Sequence, residues 1–147
     1  MTALASDQRT GRSLVSEELF SSLTHFVVTH NGQTSARAER IADQAVAFLA
    51  TVATATVPMV PSDDADMGQH AFILHTKAYG EFCDQHAGRF LHHNPAPGAC
   101  GRTLEAVTTT ARAMKAAGFM VLDDLWTVDG ESAAQCDSDC GRDYRVS

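Results

Sequence analysis

The stretch SARAERIADQAVAFLATVA, residues 35–53, is the clearest amphipathic segment of the chain. Its apolar residues Ala38, Ile41, Ala42, Ala45, Val46, Leu49, Val52 and Ala53 recur three and four apart, the spacing of one helix face. The small residues among them would let a neighbouring helix pack closely. Upstream, Ser16 is a good N-cap, and Glu17 and Glu18 in the first turn complement the helix dipole. Leu19, Phe20, Leu23, Phe26, Val27 and His30 follow at helical spacing, and Asn31-Gly32 ends that first helix, glycine supplying the left-handed turn.

Downstream, Pro58 and Pro61 stop this second helix and Ser62-Asp63-Asp64 forms a polar connection. Asp66 can cap a third helix over residues 67–87, with Gly88 as terminator. Residues 88–101, carrying Pro95, Pro97 and Gly98, read as irregular. A fourth helix is expected over residues 103–117, with Leu104, Val107, Ala111 and Met114 inward and Gly118 just past its end. Asp123 and Asp124 lead into a last turn at Leu125-Trp126. The expected fold is all-α: a compact bundle of four to five helices with an irregular, His-containing loop and a polar C-terminal tail. Residues 1–15 read as a flexible N-terminus, 16–130 as one helical domain and 131–147 as an acidic, Cys-containing tail.

The 147 residues suit one domain. Eleven Lys and Arg against 18 Asp and Glu give a formal charge of −7. That balance argues against nucleic acid or an anionic membrane as partner, because both call for clustered positive charge. No run approaches the ~18–20 apolar residues of a membrane span, and MTALASDQRTGRS has no apolar signal core. A cytoplasmic location follows as the expectation, with cysteines present as thiols or metal ligands. Seven His and four Cys are the unusual feature.

Five of those seven His and one Cys fall in DMGQHAFILHTKAYGEFCDQHAGRFLHH, residues 66–93. Imidazole and thiolate are preferred ligands of zinc and several other transition metals. Asp66 and His70, four apart, share a helix face, and Tyr79, Cys83 and His86 share another. On an unbroken helix His70 and Cys83 would stand roughly 20 Å apart, too far for one ion. The stretch after Gly88 can run back along the helix, however, bringing His92 or His93 toward the earlier residues. Neighbouring residues of extended chain point to opposite sides, so one of that pair is expected to face the helix. His25 and His30 read as partly buried or exposed residues with no ligand role. Cys136 and Cys140, in CDSDC, could be ligands closing over a site, a disulfide or free thiols.

The segment resembles the core motif of the glycine-rich domain-containing protein-like family at Asp66, His70, Tyr79, Cys83, Gly88, Arg89, Phe90 and His93. Short actinobacterial members of that family are similar also in AGRFLHHNP and AAGF…LDDLW. Gln69 stands where the family has Trp, Ala133 where some relatives have an extra Cys, and the Gly-rich region is missing. The resemblance implies a helical domain with a His and Cys constellation and no defined reaction.

These residues support three readings. In the first, His70, His93 and Cys83 hold a transition metal, zinc before iron or copper, with Asp66 and Tyr79 as supporting groups behind them. An open coordination position would then serve a metal-dependent tailoring enzyme acting on a small molecule or peptide. In the second, the tail thiolates of Cys136 and Cys140 complete a closed structural zinc site in a binding module. In the third, without metal, Cys83 is a nucleophile activated by His86 or His93. The small-residue helix could equally form a homodimer seam.

Overall fold

The structure, a computed structural model, describes residues 8–93 and 103–128. The fold is all-α, with five helices among the described residues: α1 Glu17–Asn31, α2 Ser35–Thr54, α3 Asp63–Leu74, α4 Thr76–His86 and α5 Leu104–Ala116. Short 3-10 turns lie at Arg12–Leu14 and Asp123–Leu125. Ser16, Thr34, Ser62 and Thr103 cap α1, α2, α3 and α5, each side-chain oxygen accepting a backbone N–H of the first turn. Gly32 closes α1 at φ 66°. No helix among the described residues is long and apolar enough to cross a membrane.

The amphipathic segment is the hub. Half of the 20 residues of α2 are buried, and α1, α3, α4 and α5 all pack on it. Its closest neighbour is α3, and Gly68 is the reason. A Cβ at Gly68 would lie 2.6 Å from Ala45 Cβ and 2.9 Å from the Ile41 carbonyl oxygen. Neither atom can rotate away. Gly68→Ala is therefore expected to destabilise the fold by about 1–3 kcal/mol through overpacking, despite alanine's better helix propensity. Chemical denaturation would measure it, and a stabilised variant would contradict the close approach.

Four details differ from the expectations. The helix expected over residues 67–87 is two helices, broken at His75 (φ −86°, ψ 71°). At the break the His75 N–H moves to the Phe72 carbonyl, leaving the Ala71 carbonyl without its helical donor. The His75 ring fills that place, Nδ1 lying 2.7 Å from the Ala71 oxygen. A carbonyl only accepts, so Nδ1 carries the proton and, in the neutral ring, Nε2 is the acceptor for the Ser22 hydroxyl at 2.7 Å. This bond ties the break to α1. Second, the cap of α3 is Ser62, and Asp66 sits one turn inside.

Third, Leu104 is exposed, and the buried face of α5 is Val107, Thr110, Ala111 and Met114. Fourth, residues 8–15 are not a loose end. Arg9 exchanges backbone hydrogen bonds with Gly118 and Met120 and lies over the Phe119 ring. Gly11 passes so near α2 that a Cβ would strike the Asp43 carbonyl. The expectations for Pro95, Pro97, Gly98, Cys136 and Cys140 lie outside the described residues.

Candidate metal centre

Asp66 and His70 project from one face of α3 because they are four residues apart. The third member of their cluster, His93, comes from the chain beyond α4. Gly88, at φ 69°, ends α4 and turns the chain back. Leu91 then buries itself against the bundle, donating its N–H to Cys83 Sγ at 3.4 Å and accepting from the Tyr79 hydroxyl at its carbonyl. His93, two residues on, falls on the same side as Leu91. Phe90 and His92 are exposed, their rings in edge contact.

The three side chains converge on one point. His70 Nε2 and His93 Nε2 are 2.9 Å apart, His93 Nε2 is 3.2 Å from Asp66 Oδ1, and His70 Nε2 is 3.9 Å from Asp66 Oδ2. Among the described residues this is the group whose donor atoms, all within 4.8 Å of one another, could hold a metal ion. Two ligands at ~2.0–2.1 Å from one ion stand about 2.9–3.4 Å apart for angles between 90° and tetrahedral. The His70–His93 and His93–Asp66 separations fall in that range. The side chains of His93 and Asp66 are only 10% and 16% exposed, whereas that of His70 is 44% exposed. The cluster thus has a dry inner side and an open outer one.

The expected site residues are redistributed. His70 and His93 are brought together, but Asp66, expected behind the ligands, stands among them. Cys83 does not join the group. Its thiol is buried and receives the Leu91 N–H, an arrangement that suits a structural cysteine and denies it the access a nucleophile needs. His86, its expected activator, lies against Phe82, and no hydrogen-bond partner for its buried Nε2 exists among the described residues. Burial, aided by the charge of Arg9, lowers its pKa. Cys136 and Cys140 lie outside the described residues.

Tyr79 is buried, and burial, with Cys83 adding to it, pushes its phenol well above the ordinary range. It therefore stays protonated and donates to Leu91. It acts on the cluster through the backbone of the His93 segment and not through a ligand side chain. Tyr79→Phe is expected to lower metal affinity by ~10-fold, at the gentle end of what losing a supporting hydrogen bond costs, while the helical content stays the same. Calorimetric metal titration would check this, and an unchanged affinity would deny the tyrosine its positioning role.

A cleft of about 440 Å³ opens beside the cluster, with His70 and His93 in its wall together with Phe26, His30, Leu74 and Phe90. His30 is exposed and stacks on Phe26, its i, i+4 neighbour on the face read from the sequence, with ring centroids 3.9 Å apart. Leu91 was missed, and the parity it shares with His93 could have identified it.

Residues 13–126 match the UCP032817-like family, and the chain belongs to it. That match corrects the resemblance to the glycine-rich domain-containing protein-like family, which nothing in the comparisons supports. The likeness rested on eight positions between Asp66 and His93 and on the stretches AGRFLHHNP and AAGF…LDDLW, a scattered pattern too short to establish descent. No curated protein and no solved structure matches the chain.

Proposed function

We propose that this member of the UCP032817-like family binds one divalent transition metal through Asp66, His70 and His93 and uses it as a metal-dependent enzyme on a small molecule. The observation that carries the reading is the meeting of three donor atoms within 4.8 Å of one another, drawn from α3 and from a segment 23 residues further on. Two imidazole nitrogens 2.9 Å apart need a proton or a cation between them, and the Asp66 carboxylate 3.2 Å from His93 balances the charge of a cation placed there.

Two imidazoles and a carboxylate suit zinc first, with iron(II) or copper as alternatives. Three protein donors, with the His70 side open to solvent, leave room for water or substrate. A metal held in this way supplies Lewis acidity or a bound water whose pKa falls toward ~7. The residues themselves contribute orientation: Asp66 and His70 ride on a rigid helix packed on α2, and His93 is fixed by the Leu91 anchor. A cytoplasmic setting belongs to the same reading.

Elemental analysis of untagged protein tests the proposal. Near one equivalent of zinc, iron or copper is expected, lost in His70→Ala. Protein that is folded, metal-free and incapable of being loaded would refute it.

A further inference from the structure

We infer that the cleft beside the cluster binds an uncharged or singly charged aromatic small molecule, whose carbonyl or carboxyl oxygen reaches the metal. The inference rests on the metal reading above and concerns what that site accepts. His70 and His93 belong both to the cluster and to the cleft wall, so a molecule lying in the cleft has one end at the metal. Its volume of about 440 Å³ is within the ~300–1,000 Å³ of small-molecule pockets.

The remaining wall describes the other end of the ligand. Phe26, Ile73, Leu74, Phe90 and Leu91 are apolar, and Leu74 and Phe90 are 62% and 49% exposed. Covering such surface is favourable in proportion to the apolar area removed from water. The parallel Phe26–His30 stack, 10° from coplanar, offers a flat aromatic surface. Phe90 is held in place by edge contacts to Tyr79 and His92, with centroids 5.3 Å and 5.0 Å away. Ring-on-ring packing rewards an aryl group beyond its area alone.

Charge narrows the class further. Among the described residues, no Lys, Arg, Asp or Glu lines the cleft. A nucleotide, sugar phosphate or acidic peptide would bring several negative charges, of which the metal could meet only those at one end, with no Lys or Arg in the described wall to meet the rest. One oxygen-donor head can be met by the metal, and an apolar body by the rings.

Hydroxamates test this on the zinc-loaded full chain, because the head is constant and the body varies. Acetohydroxamate and benzohydroxamate are titrated calorimetrically into the wild type and into Leu74→Asp, after zinc content has been measured in each. Benzohydroxamate is expected to bind the wild type at least about tenfold more tightly than acetohydroxamate, the gain from burying one ring. In Leu74→Asp, where the changed side chain is exposed, that gain should shrink while zinc content and acetohydroxamate binding hold. Phenyl phosphate should bind the wild type more weakly than benzohydroxamate. Equal affinities for the two hydroxamates in zinc-loaded protein, or a gain that persists in Leu74→Asp, would overturn the aromatic assignment and leave the metal site standing. A chain that takes up no zinc would sink the metal reading and this inference together.

Discussion

His93→Ala is expected to lower zinc affinity by more than ~100-fold, beyond what the loss of a supporting residue costs, whereas His92→Ala should stay close to the wild type. The two histidines are adjacent in sequence and chemically identical. They differ in side: His93 Nε2 lies 2.9 Å from His70 Nε2, while His92 is exposed and touches Phe90. Removing His93 leaves Asp66 and His70, an i, i+4 pair on one helix and too few donors for tight binding. Zinc competition against a chromophoric chelator, with circular dichroism to confirm folding, gives the result. Equal losses in the two variants, or no loss in either, would place the ligands elsewhere.

The largest effect on stability is expected at Gln44. This side chain is fully buried in α2 and acts as a hub for the segment that follows α5. Its Oε1 accepts from the Trp126 indole N–H at 2.8 Å and from the Leu122 N–H at 3.0 Å, and its Nε2 donates to the Met120 carbonyl at 3.0 Å. Gln44→Leu keeps the volume and removes these three bonds, together with the one its Nε2 donates to Asp43 at 2.9 Å. The buried Trp126 indole N–H and the half-buried Leu122 N–H would then lack an acceptor, each costing ~1–3 kcal/mol, so the loss should total about 2–5 kcal/mol. For a domain of this size that lowers the melting temperature by on the order of 10 °C. Trp126 is the only tryptophan of the chain, so its emission reports directly on whether the segment has come loose. A variant with wild-type stability and emission would show that apolar packing of Leu125 and Trp126 suffices.

Both predictions turn on contacts between distant parts of the chain, and these mark where reading the sequence stops. Ser16 and Gly32 announce helix ends through local hydrogen bonding and backbone preference, and those ends stand where they were expected, while the helices expected from residues 35 and 103 begin at Ser35 and Leu104. The break at His75 has no glycine or proline to announce it. It exists because a side chain fifty-three residues from Ser22 in sequence finds that hydroxyl and repairs its own broken turn. Cys83 misled for a related reason. Burial beside Leu91 decides whether a thiol is a ligand or a hydrogen-bond acceptor, and residue type does not.

What the amino-acid sequence determined on its own was helical class, the amphipathic helix of the segment 35–53, and the shared face of Asp66 and His70, because these follow from periodicity and local sterics. The meeting of His93 with that pair, the place of Asp66 among the candidate donors, the separation of Cys83 from them and the aromatic cleft were decided by tertiary structure alone. They depend on the path of the chain after Gly88, and that path is held by a buried leucine, a tyrosine hydroxyl and a thiol whose proximity no spacing rule encodes.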